Sequence, residues 1–455
     1  MNQSIYLLEF KLFFRNKAAM AGILILLISG FAGLYFGEKF IRQQDIVIEK
    51  ASQTQEKNTG TNLKHFGKDP GLFLYHNKFS MVNVPDRWAA FANGQRDINP
   101  YLISVSMLAV EGQIYDTDLV NPSTLLLGNM DLAFVFIFLF PLVIIAFCYN
   151  LLSADQESGV WAILKSQSGA LSALIWRKFS VRIISVFTVA MVLMTSAIFY
   201  LKLPLDGRLL LILTLLSLYL LFWFSLSFWV ISRGKSSNYN AVLLISFWVV
   251  LNIISPAILN VWLTQQYPVP EALETLVKQR EGYHEKWDLD KSKTMDKFYA
   301  HYPQFKQYPF PSELSFSWYW YYAMQQMGDD EASAGARSMA EKLNKRHDFT
   351  NLTALFLPGI QTQLRLNELA GSDLENHLKF QQAIKAYHEQ IRLYFYPVVF
   401  KEETLANVAW DEFKVAQYKG HTTGYVWQNL ASVFILSLLF SILAVYNFKR
   451  KTSLF

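Results

Sequence analysis

Two groups of residues have the types and spacing that chemistry uses. The first is histidine with acid. Asp373 and His377 are four residues apart, so a helix turns them to one face. His377 and His388 are eleven apart, close to three helical turns. A metal ion needs ligands converging at about 2.0–2.2 Å, and two histidines three turns apart on one helix cannot supply that alone. All 8 histidines fall outside the apolar blocks, where polar-surface or buried capping roles are the ordinary reading. The second group is Asp155-Gln156-Glu157-Ser158-Gly159, a charged turn directly after an apolar run. Glu157 reads as a helix-start acid, where its charge suits the positive end of the helix dipole. The sequence has no HExxH, no GxSxG, no nucleophile in a catalytic setting and no GxxxxGK[ST] phosphate loop. The expectation is a non-enzyme that binds no metal or cofactor. If ATP drives it, a separate subunit holds the ATP and its Mg.

These residues are positioned by a membrane-type chain. Charged residues make up 17% of the sequence, well below the roughly 25% of soluble domains. The 52% hydrophobic content is gathered in blocks. The net charge of +5 comes from basic clusters beside those blocks, which reads as orientation signals and not as a nucleic-acid footprint. Cys148 is the single cysteine and lies inside an apolar block, so no disulfide forms within the chain.

Residues 1–17 read as an N-terminal interfacial helix, with Ile5, Leu8 and Leu12 at helical spacing, or as the basic flank of the first span. The first apolar run, 18–36, is long for a signal-peptide core and no A-x-A-like site follows, so it reads as an uncleaved anchor. Ile41, Ile46 and Ile48 suggest that this helix continues beyond the apolar run. A first insertion occupies 37–130, with a strand expected over 72–84, a helical piece at 88–91 and a strand over 103–110. The second span is 131–152, and Pro141 should bend it. A loop at 153–180 carries an amphipathic segment, 160–176, and the basic residues Arg177 and Lys178. Spans three to five are 181–201, 209–231 and 239–263, the first two joined by a very short link. Asn252 lies within the fifth span, either bonding a neighbouring helix or contacting a substrate. The second insertion, 264–425, should be mostly helical. Helices are expected over 271–287, 331–346, 364–369 and 374–395, with stops at Gly328 and Pro397 and a helix end, turn and N-cap at Ala370-Gly371-Ser372-Asp373. The aromatic tract 318–322 suits core packing or interfacial anchoring. The sixth span is 426–448 and the tail 449–455 is basic.

With six spans, Lys11, Arg15 and Lys17, Arg177 and Lys178, Arg233 and Lys235, and Lys449 to Lys451 all fall on one side. The positive-inside rule makes that side cytoplasmic, with both termini inside and both insertions outside. The expected fold is mainly α, a polytopic membrane protein of six spans with a small α+β insertion after the first and a mostly helical one after the fifth. The span interiors lack Asp, Glu, Lys and His, which argues against a proton- or sodium-coupled carrier.

The run YNLLSADQESGVWAIL, 149–164, with Arg177 and Lys178 closing the loop, resembles the cytoplasmic loop of ABC-2 type transporter permeases. NPSTLLLGNMDLAFVFIFLFPL before it, the Gly94…Asp97…Pro100 pattern, and LNELAGSDLENHLKF at 366–380 are similar to a bacterial branch of uncharacterised permeases with two large outer insertions, related to gliding-motility permeases. Where the family carries a proline in the middle of this loop, the chain has Gly169. The resemblance implies that an E-x-G turn begins a coupling helix docking on an ABC ATPase, with Glu157, Ser158, Gly159, Trp161 and Arg177 as coupling residues. It also implies a second permease copy or paralogue and a seat in the bacterial inner membrane among its lipids. Two functions follow as expectations. One is the permease subunit of an ATP-driven exporter. The other is a non-transporting relay that passes ATPase motion to a periplasmic or lipoprotein partner.

Overall fold

The computed structural model describes residues 2–115, 130–161, 163, 171–270, 286–308, 310, 313–420 and 430–452. The chain is mainly helical, and six of its described helices are long and apolar enough to cross a membrane.

Helix α1, Asn2–Arg15, precedes α2, Lys17–Phe66. Asn16 starts α2 by accepting the backbone N–H groups of Ala18 and Ala19. As the isoleucine spacing suggested, α2 does not end with its apolar part. Its 50 residues run on for roughly 75 Å at 1.5 Å each. The strand expected over 72–84 is corrected. Asp69 accepts the N–H of Leu72 and Pro70 fills the first turn, so α3 forms over Pro70–His76, and strand β1 covers Phe79–Asn83 only. Strand β2 is Leu102–Val105, shorter than expected, and α4 is Val110–Tyr115.

The second apolar helix, α5, covers Leu132–Cys148. Asp131 accepts the N–H of Phe134 at its start. Pro141 does more than bend it: the five residues Val135–Leu139 before it are wound as a π-helix. The third, α6, is Leu171–Tyr200, so Arg177 and Lys178 belong to its early turns and not to a loop. Helix α7 is Gly207–Ser232. Helix α8, Ser237–Gln266, carries a second π-helical turn at Val250–Ile254, just before Pro256. The helix expected over 271–287 lies almost wholly outside the described residues.

In the second insertion α9 is Lys291–His301, α10 Trp318–Ala354, α11 Pro358–Ala370 and α12 Leu374–Phe400. Gly328 does not stop a helix; it is buried within α10, which packs against α4. Pro397 likewise lies inside α12. Gly371 does end α11, left-handed at φ 61°, as expected. Strand β3 is Ala416–Tyr418 and the last helix, α13, is Ala431–Thr452.

The two insertions are one body and not two. Among the described residues the sheet runs β2-β1-β3: β2 is antiparallel to β1, and β3, from the second insertion, is parallel to it. Asp329 of α10 accepts the N–H groups of Val110 and Glu111 at the start of α4 and pairs with buried Arg392 of α12 at 2.8 Å. The tract 318–322 supplies Tyr319, Trp320, Tyr321 and Tyr322 to the aromatic core of this body, which answers the packing expectation.

Candidate functional site

At one end of the helical bundle the basic residues gather. Ser153–Glu157 is a short helix after a turn at 149–152. Glu157 therefore ends a helix and does not begin one. Its carboxylate serves a different helix start: Oε1 accepts the N–H of Ser237 at 2.7 Å and Oε2 the Ser237 hydroxyl at 2.9 Å. Ser236 accepts the N–H of Tyr239, so the first turn of α8 is capped twice. The Ser237 proton is committed to Glu157, so the Ser153 hydroxyl, 2.8 Å from Ser237 Oγ, is the donor there. The expectation that Glu157 starts its own helix is overturned; its charge lies instead at the start of α8.

The other predicted residues surround this cap. The Ser158 hydroxyl donates to the Asp155 carbonyl. Gly159 turns the chain at φ 77°, a backbone that side chains rarely adopt. Trp161 is half-buried against the bundle core. Arg177 is half-buried in α6, and its neighbour Lys178 pairs with Asp155. Ala154, Gln156, Ser158, Gly159 and Val160 remain exposed. Part of the expected coupling helix, residue 162 and residues 164–170, lies outside the described residues.

Neighbouring helix ends are tied in by side chains that serve backbone carbonyls. Arg182 Nε donates to the Phe147 carbonyl at 2.6 Å and its Nη1 to the Lys178 carbonyl at 2.7 Å. Asn240 donates to the Tyr149 carbonyl, and Asn447 of α13 to the Ser232 hydroxyl. Phe13 of α1 packs edge-on to Phe147. The segment after α5 is thus bound to α6 by Lys178 and to α8 by Glu157.

Asn252 belongs to a second joint, deeper in the bundle. It lies in the π turn of α8 and is buried. The Tyr219 hydroxyl donates at 2.8 Å to the Ile137 carbonyl, the group an α-helical N–H at position 141 would serve had Pro141 one. Asn252 Oδ1 is 3.4 Å from the same hydroxyl. The two π turns therefore meet across α7. Tyr219 and Asn252 stand roughly 20 Å from the basic ends of α7 and α8, past the midpoint of a 30 Å apolar layer.

What meets Asn252 from the other end was not foreseen. Helix α11 enters between the apolar helices, packing on α7, both π turns and α13. Its Leu366 and Ala370 belong to the bundle core, and Pro358, Gly359, Gln361 and Thr362 are buried. A Cβ on Gly359 would stand 2.4 Å from Asn252 Oδ1, so a larger residue there would push the Asn252 amide from its place. Above this point the Trp262 and Phe349 rings stack at 4.1 Å, joining α8 to α10. The only hints in the sequence were Leu357-Pro358-Gly359, a helix-start signal, and the α11 periodicity.

Two stretches that carried the family resemblance also come together. The Gln95 N–H donates to the Ser372 carbonyl at 2.7 Å and the Ser372 hydroxyl to the Ala92 carbonyl at 2.8 Å. The histidines do not converge. His388 is buried with Nε2 2.9 Å from the Ser106 carbonyl, and no group of metal-ligating side chains occurs among the described residues.

Residues 272–419 match a family described as Domain of unknown function (DUF3526). That stretch lies between α8 and α13 and contains α9 to α12 and β3. No curated protein matches the chain, and no solved structure does.

Proposed function

We propose that this chain is the transmembrane permease subunit of an ATP-driven ABC transporter of exporter type, in the cytoplasmic membrane of a bacterium. In this reading both termini are cytoplasmic, and ATP and Mg reside on a separate ATPase subunit. A second permease copy or paralogue completes the path. The observation that carries the reading is the capping of α8 by Glu157. A push on the exposed surface at Gln156 to Val160 is delivered directly to the start of a membrane helix. Glu157 and Lys178 then act as positioning residues, and Gly159 and Val160 present the surface that the ATPase meets.

The test is site-directed photocrosslinking in native membranes, with the probe placed at Gln156 or Val160. The expected product is a covalent adduct with a nucleotide-hydrolysing protein. Adducts only with proteins of the opposite side, or none with an ATPase, overturn the reading.

One observation favours a second reading, the mechanical relay. The outer body is seated on the bundle through α11, whose start touches the π turn of the same α8 that Glu157 caps. Helix α2 also runs unbroken from the bundle into that body. Such connections carry motion outward without opening a path. Reconstitution with the ATPase separates the two: hydrolysis with no flux through the vesicle wall favours the relay, and flux favours the exporter.

A further inference from the structure

An open cleft of about 440 Å³ lies where the outer body meets the apolar helices, away from both joints described above. Its walls come from three places: Arg87 from the first insertion, Lys202 and Arg208 from the link after α6 and the first turn of α7, and Lys419 from the end of the second insertion. Asp86 is the one carboxylate in its lining. Asp86 is already committed, accepting from Arg208 at 2.7 Å and from the Trp88 N–H. Asp206 takes the other side of Arg208. Arg87, Lys202 and Lys419 form no ion pair among the described residues, and all three are exposed. Lys202 is held at the rim by a left-handed backbone, φ 54°, in a turn closed by the Leu203 N–H on the Ile198 carbonyl.

The setting selects the ligand. The link between α6 and α7 stands at the end of two apolar helices, the depth at which lipid headgroups lie. Beside the cationic rim, Phe199 and Leu205 are each 77% exposed and Tyr200 is half exposed, an apolar strip next to charge. An amphiphile with an anionic head matches both surfaces. Pockets of 300–1,000 Å³ accept molecules larger than a bare ion.

We propose that this cleft binds the phosphate-bearing headgroup of an anionic phospholipid, with Arg87, Lys202 and Lys419 on the phosphate and the acyl chains along Phe199 and Leu205. The bound lipid pins the outer body to the bundle. The site rests on the apolar helices crossing a bilayer but not on any ATPase.

The test uses the full chain in neutral detergent. Phosphatidylglycerol and phosphatidylcholine are titrated separately, with native mass spectrometry counting bound lipids. Phosphatidylglycerol should be retained at low salt and lost at high salt. Combined Arg87→Gln, Lys202→Gln and Lys419→Gln should weaken it on the order of a hundredfold, from the attraction each charge near a surface contributes. Lys202→Gln and Lys419→Gln singly, each with smaller losses, serve if the triple variant folds poorly. Equal binding of the neutral lipid, or unchanged retention in the variants, overturns the site. So does inorganic phosphate displacing the lipid completely at low millimolar concentration, which would mark a free-anion site. Loss of membrane integration on carbonate extraction would sink the bilayer reading itself, and the glutamine variants do not affect that measurement.

Discussion

At the residue scale the chain works by matching single side chains to backbone groups left open elsewhere. Glu157 is exposed, yet it holds the start of α8 through two hydrogen bonds. Removing a cap of this kind costs about 1 kcal/mol. Glu157→Ala should lower the melting temperature in detergent by about 1–3 °C, and Glu157→Gln should recover part of that, since its amide oxygen still accepts the Ser237 N–H. Identical melting of the alanine variant and wild type would remove Glu157 from the joint. His388 provides a second case. Burial, then the nearby Arg392, holds its pKa well below the ordinary imidazole value of about 6.5. Burial, then Arg96, lowers His377 to about 4. Such groups stay neutral in the fold while the unfolded chain takes up protons, so stability present above about pH 6.5 is lost as pH falls from there. Glu111 and Asp373 act oppositely, because burial raises both and the fold then binds their protons first. His388→Gln keeps a donor for the Ser106 carbonyl without the titration. Its melting temperature should therefore fall less between pH 7 and pH 5 than that of wild type, and an equal fall contradicts the assignment.

At the element scale the joint is between α8 and α11. With Cys148→Ala removing the one native thiol, Asn252→Cys with Gly359→Cys should oxidise to an intramolecular disulfide, since a Cβ at 359 would lie 3.5 Å from Asn252 Cγ. Mobility on non-reducing gels after cleavage between the two positions reads it. Absence of the bond under mild oxidant means that α11 does not reach the π turn. Under either functional reading, closing this bond should stop ATPase-driven motion of the outer body while leaving the inward-facing segment free to bind. The sequence made some of this visible. Pro141 announced an irregular helix, and the isoleucines announced the extension of α2. The helix over 364–369 was legible, but its burial among the apolar helices was not, because Gln361, Thr362 and Asn367 are buried alongside Leu366 and Ala370. A helix with that many polar groups has no hydropathy signature. Residues 70–76 misled because Phe73 and Tyr75 alternate like a strand, while the Asp69-Pro70 start signal was the stronger cue. Gly328 misled because burial in α10 overrides its weak propensity. The partner of Glu157 is 80 positions away, beyond any local pattern.

At the scale of the whole molecule, the stretch that matches a family is not a unit that stands alone. Residues 272–419 contain β3, whose ladder partner is β1, at the register Met81 to Ala416. They contain Asp329 and Gln325, whose acceptors are spent on the start of α4, and His388, which meets Ser106. Phe380 and Ile384 of α12 pack on Met81 and Val105, and Leu366 and Ala370 are buried in a core shared with the apolar helices and Trp88 to Ala92. Each of these is an apolar contact or a hydrogen bond lost once the rest of the chain is removed, and a hydrogen bond alone contributes about 0.5–1.5 kcal/mol. Folded domains hold a margin of about 5–15 kcal/mol, so a handful of such losses consumes it. Expressed alone, 272–419 should therefore show no cooperative thermal transition and poor amide dispersion in NMR spectra. Co-expression with 38–115 should restore protected amides at β1 and β3, because that pairing returns the ladder, α4 and Ser106 together. A lone fragment that melts cooperatively would mean that the second insertion is an independent domain. Under either proposed function, motion entering at Glu157 would then reach it only as a tethered load, and not through a body built jointly on α2 and α11.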